Sequence, residues 1–169
     1  MTPVNDKFLN WDALEFFSSL TDTNRFAREF GFVCRGCSSL DGFYDLLSDV
    51  QSAAPIVAVS DISSGELSVN NHPKARRIKT VFLAMRHAID DPDARTECME
   101  ILRELFRQFM SRLILERERI AQGCIYIDPD ITFTEIDRYF FSGCACAYFQ
   151  ITVDTFTDLT FNPDEWTSN

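Results

Sequence analysis

The chain has 169 residues, 46% of them hydrophobic, which suits one domain with a real core. A net charge of −10 and a pI of about 4.6 make an acidic surface that repels phosphate backbones, so nucleic-acid binding would need a local basic patch. The opening MTPVNDKFLNW lacks a basic stretch followed by an apolar one, and no apolar run approaches the ~18 residues of a membrane helix. A protein made and kept in a cytoplasm, with no membrane contact, is expected, and its six cysteines should then be reduced.

In chain order, Phe8, Trp11, Leu14, Phe17 and Leu20 recur near helical spacing and predict a first helix over 6–20. A short helical turn from Thr23 to Phe30 stops at Gly31, and a third helix is expected over Leu40–Gln51, where Phe43, Leu46, Leu47 and Val50 share a face. Pro55 opens a β-branched strand, Ile56–Val59. Residues 61–77 read as a long turn region with one short strand at Glu66–Val69. Within it and just after it, Lys74, Arg76, Arg77 and Lys79 read as a solvated loop beside a strand start, so no sequence-specific nucleic-acid binding is expected.

The strand Ile78–His87 is apolar on both faces, as a central strand must be. Asp90-Asp91-Pro92 then starts a helix of about thirty residues, with an acidic cap and a proline in the first turn, and Gly123 ends it. Strands follow at Cys124–Asp128, Ile131–Ile136 and Phe140–Phe156, with an acidic hairpin turn expected around Asp128-Pro129-Asp130. Gly143, Ala145 and Ala147 alternate on one face of the last strand, where a helix could approach closely. The tail, Asn162–Asn169, reads as an extension with Trp166 as its anchor.

These elements add up to a single α+β domain. Its sheet is mainly antiparallel, of four to five strands, packed on one long helix at about 92–122, with two or three N-terminal helices. The N-terminal helical part covers about 6–51, the sheet and long helix about 55–161, and the extension 162–169.

On a helical wheel Ala94, Cys98, Ile101, Leu102, Leu105, Phe109 and Leu113 form one stripe, which should lie on the sheet. Arg112 and Glu116 then interrupt it as an i, i+4 pair, so the last turns are expected to project beyond the sheet edge. A second set, Met99, Phe106, Met110, Ile114 and Ala121, drifts along a flank beside Arg103, Arg107 and Arg117. Either the N-terminal helices cover this flank or it is a subunit interface, since aromatic, Met and Arg residues are enriched in interfaces. The candidate interface residues are Met99, Phe106, Met110, Ile114, Arg107, Arg112, Glu116 and Arg117. Thirty residues of helix span about 45 Å, more than a domain of this size requires.

Cys34-Arg35-Gly36-Cys37 has the spacing of a redox dithiol, but the motif lacks the neighbouring aromatic and proline of thioredoxin-type sites and a strong βαβ setting. It reads first as two small thiols in a turn, with a dithiol, or a zinc site shared with Cys144 and Cys146, as the sharper alternatives. Cys144 and Cys146 stand at i and i+2 of a strand, a spacing too long for an easy tetrahedral pair. No nucleophile elbow, phosphate-binding loop or dinucleotide fingerprint occurs, so neither catalysis nor a cofactor is expected.

The order helix, strand, long turn, strand, long helix, strands resembles phage tail-terminator and tail-completion proteins and their relatives in contractile injection systems. The segments that carry the resemblance are Pro55–Asp61, Arg77–Ala88, Pro92–Gln122 and Gly143–Thr157, with lines such as KTVFLAMRHA and AYFQITVDTF. The resemblance implies a virion structural subunit that forms a homo-oligomeric, commonly hexameric ring, stops tail-tube growth and docks neck or connector proteins. The leading alternatives are a cytoplasmic dimer using the Met99–Phe106–Met110–Ile114 flank and a small redox protein using Cys34 and Cys37.

Overall fold

Local capping chemistry sets the first helices. The computed structural model describes residues 9–49, 54–70, 72–136 and 143–167. Asp12 accepts a hydrogen bond from the Glu15 amide at 2.8 Å and so starts α1 (Ala13–Thr23). The expected start at residue 6 gives way to this cap, and residues 1–8 lie outside the described part. Asn24 in turn accepts from the Ala27 amide at 2.7 Å and opens α2 (Arg25–Phe30). That helix closes at Gly31, whose φ of 74° lies in the left-handed region that glycine enters without strain.

The next element is a strand, β1 (Val33–Cys37), where a turn was expected. The N-terminal part is therefore not purely helical. Gly and Arg give VCRGC little intrinsic strand preference, and pairing with β2 (Ile56–Ser60) imposes the conformation instead. Between them lies α3 (Ser39–Asp49), while Val50 and Gln51 fall outside the described residues. Because β1 and β2 are parallel, β1–α3–β2 is a βαβ unit.

The remaining elements are β3 (Ser64–Ser68), β4 (Lys74–Arg86), α4 (Pro92–Gln122), β5 (Ile125–Ile127), β6 (Thr132–Glu135), β7 (Cys144–Phe156) and a 3-10 turn at Pro163–Glu165. Asp91 caps α4 through the Asp93 and Ala94 amides, both at 3.0 Å, which makes its boundaries those expected. Residues 137–142 are outside the described part, so the expected start of the last strand at Phe140 lies there too.

The fold is α+β, with seven strands among the described residues rather than four or five. They fill only five positions across the sheet. The order is β1-β2-β4-β7-β5, β3 lies beside β2 along the same edge of β4, and β6 lies beside β5 along β7. Residues 128–131 are accordingly a jog between two collinear strands, not a hairpin turn, with Asp128 accepting from the Asp130 amide at 2.9 Å. β4 and β7 pair over their whole length, from Lys74 opposite Phe156 to Arg86 opposite Cys144.

Strand alternation divides the core in two. On one face Val81, Leu83, Ala145, Ala147, Phe149 and Ile151 meet α1, α2 and α4, and the two alanines leave the space that was expected for a close helix. Phe17 of α1 binds this layer together, its ring centroid 5.7 Å from Phe109 and 5.4 Å from Phe149. On the other face Phe82, Ala84, Cys144 and Cys146 lie under Phe43 and Leu47 of α3.

The same alternation breaks up the basic segment, which is strand and not loop. Lys74 and Arg76 reach Asp154 at 3.2 and 2.9 Å on the α3 side. Arg77 and Lys79 point to the opposite face, where they donate to the Leu9 carbonyl at 2.9 Å and the Asn10 side chain at 3.1 Å. Two further expectations change. The end of α4 does not clear the sheet, since Ile120 packs on the core together with Ile125. Trp166 anchors nothing in the core: it is 69% exposed.

Candidate functional site

The flank of α4 proposed as an interface is shared between core and surface. Met99 is buried at 2% exposure within the α4 core. The Phe106 ring lies 4.4 Å from Phe133 and 5.2 Å from Phe149, so β6, rather than the N-terminal helices, packs over it. Arg103 locks that cover in place through Glu135 at 2.7 Å, holding the Glu135 carboxyl below the usual carboxylate range. Met99 is thus a core residue, and Phe106, half-buried, packs against the core under β6. Sequence spacing missed β6 as the cover because its collinearity with β5 has no local signature.

Further along α4 the surface opens. Met110 is half-buried, while Ile114 is 64% and the adjacent Leu115 is 71% exposed. Leu115 was not among the expected residues, although its place next to Ile114 just beyond the core stripe was the available signal. The charged candidates are held on the helix. Arg107 pairs with Glu104 at 2.6 Å, and this hydrogen bond, with a second from Gln108, pulls the Glu104 carboxyl down to about 2. Arg112 pairs with Glu116 at 2.6 Å as the i, i+4 spacing predicts, and Arg119 reaches the same carboxylate at 2.6 Å. Arg117 is half-buried.

Between α1, the start of α2 and this part of α4 runs a groove of about 670 Å³. Phe16, Leu20 and Phe109 form its apolar lining, and Arg25, Arg112, Glu116 and Arg119 its charged one. Asn24 donates to Gln108 at 2.9 Å, bridging the α1–α2 junction to α4. The groove therefore joins two of the expected residues, Arg112 and Glu116, to α1. Ile114 and Leu115 are not among its lining residues.

A second surface is the part of the α3-side sheet face that α3 leaves uncovered. Ile78, Thr80, Tyr148 and Gln150 line a recess of about 390 Å³ there, against Ser39 and Leu40. Gln150 donates to Thr80 across the β4–β7 ladder at 3.3 Å.

The thiol alternatives fail on geometry. Cys34 and Cys37 are three apart on a strand, so their side chains lie on opposite faces: Cys34 packs against the α4 core and Cys37 belongs to the α3 core. They are neither two thiols in a turn nor a dithiol. Burial also pushes both thiols up to about 11, which leaves little nucleophilic thiolate. The four-cysteine set is split by the sheet in the same way, with Cys37, Cys144 and Cys146 on one side and Cys34 on the other. Cys144 and Cys146 point to the same face of β7, as their i, i+2 spacing requires. The interaction between them holds the Cys144 thiol below its ordinary value and, with burial, pushes that of Cys146 up.

No protein-family model matches this chain, and no curated protein sequence matches it significantly.

Proposed function

We propose that the protein is a structural subunit of a phage virion or phage-like injection machine. Copies form a ring at the tail end or neck that terminates the tail tube and joins it to its neighbour, without catalysis or cofactor. The observation that carries this reading is the surface of α4: its flank is filled by β6 as far as Phe106, and beyond it Ile114 and Leu115 stand exposed on a rigid helix. A monomer gains nothing from two adjacent large apolar side chains held in water, whereas a subunit contact buries them, at roughly 25 cal/mol per Å². The element order, two strands, the long helix and a long terminal strand, supports the same reading. Net charge of −10 suits a lumen through which DNA slides without sticking.

A two-fold dimer built on the Met99–Phe106–Met110–Ile114 flank is less favoured, because Met99 is buried in the core and Phe106 is partly covered by Phe133. Native mass measurement of the full chain, alone and with purified tail tubes, tests the proposal. Replacing Ile114→Asp and Leu115→Asp together should abolish the ring and the capping of tubes, with helix content and melting temperature kept. A chain that stays monomeric at high concentration and ignores tail tubes would overturn it.

A further inference from the structure

After Thr157, whose amide donates to the Pro73 carbonyl at 3.1 Å, the chain leaves the sheet as an arm. Hydrogen bonds within the arm shape it. Asp158 accepts from the Thr160 amide at 2.9 Å, and Asn162 accepts from the Asp164 amide at 3.1 Å to cap the 3-10 turn. The turn brings Phe161 and Trp166 together, ring centroids 6.2 Å apart and interplanar angle 29°. Yet both rings face solvent, at 71% and 69% exposure. The described arm carries Asp158, Asp164 and Glu165 and neither Lys nor Arg.

The groove between α1 and α4 is the complement of this arm. Three arginines and one carboxylate line it, and that carboxylate, Glu116, is already shared by Arg112 and Arg119. Its described lining is thus locally basic on an acidic chain, and half-buried Phe16, backed by the buried Leu20 and Phe109, is the apolar surface that receives a ring. Its volume of about 670 Å³ falls in the range of ~300–1,000 Å³ in which pockets enclose compact ligands. Aromatic rings beside arginines are the pairing from which interface hot spots are built. Because the 3-10 turn already holds the rings, docking costs little ordering entropy.

We infer that the arm Asp158–Thr167 of one copy docks, through Phe161 and Trp166, in the α1/α4 groove of a second copy. Arm and groove are different surfaces, so the contact is heterologous, and repeated about a rotation axis it closes a ring. The inference rests on the ring reading above and names a contact for it, distinct from the Ile114–Leu115 surface.

Complementation between two defective copies tests it. One copy ends after Thr157 and keeps its groove; the other carries Arg112→Glu and Arg119→Glu and keeps its arm. Each alone should be monomeric, and their mixture should give a one-to-one heterodimer and nothing larger. Phe161→Ser with Trp166→Ser, confined to the exposed arm and so harmless to folding, should weaken self-association by about thirtyfold, the size of a hot-spot truncation. If the arm-free chain and the serine variant assemble like the full chain, the arm contact is wrong and the ring stands. A full chain that is monomeric, including one whose arm folds back on its own groove, overturns both.

Discussion

Asp154 sits on β7 with two cations from the neighbouring β4 against it. Arg76 donates through Nε at 2.9 Å and through Nη2 at 3.1 Å, and Lys74 donates at 3.2 Å. These bonds, the Arg76 pair first, hold the Asp154 carboxyl below its ordinary value. The Asp154 side chain is 19% exposed but Arg76 and Lys74 are 47% and 54% exposed, so water screens much of the pairing and its contribution is small. A depressed folded-state value means stability that is present above the unfolded pKa of about 3.9 and is lost as pH falls through the folded one. Asp154→Asn should therefore lower stability by about 1 kcal/mol at neutral pH, and the deficit should close in acid. Urea melts of both chains at pH 7 and near pH 3 check this; a gap independent of pH would exclude the ion pair as its source. At this scale, chemistry that acts over one turn was legible: the Asp91 cap, the stop at Gly31 and the Arg112–Glu116 pair. The faces of Cys34 and Cys37 were not, because they follow from a strand that exists only through its partner.

Among elements, the bounds of α4 were readable, since its 31 periodic residues lie between their own caps, Asp91 and Gly123. The start of β4 at Lys74 was not, because its first cations look like loop until Asp154 of β7 is placed opposite. α3 shows the same dependence on pairing. It is the sole described helix over its face of the sheet, held by Phe43 stacked on Phe82 at 4.5 Å and by Arg86, which donates to the Leu47 carbonyl. Removing that ring, Phe43→Ala, should cost about 3–5 kcal/mol. It should also loosen α3 selectively. Cys37, Cys144 and Cys146, buried beneath it, would then react with a thiol reagent, whereas Cys98 on the α4 side would stay protected. Cys124, exposed in the parent chain, gives the reference rate. Uniform deprotection of all buried thiols would mean that α3 does not open separately.

At the scale of the whole molecule, the two helix layers share one sheet, and β4 and β7 join them. Their 13-residue ladder sends alternate side chains to opposite cores: Val81 and Leu83 to α4, Phe82 and Ala84 to α3. Melting either core exposes one face of the same two strands and removes the support of the other. That coupling predicts one cooperative transition for the parent chain rather than separate loss of the two layers. The two tryptophans allow the check, because Trp11 is buried at 6% among Phe16 and Phe17 while Trp166 stands in solvent. In a Trp166→Phe chain, fluorescence reports the α1–α4 layer alone, and labelling of Cys146 reports the α3 layer. The two urea curves should coincide in midpoint and slope, since both then measure the surface exposed by a single unfolding step. If Cys146 becomes reactive at lower urea than the Trp11 transition, the sheet does not couple its faces. α3 would then be a separable layer, and the βαβ unit at the β1 edge the first part of the molecule to open.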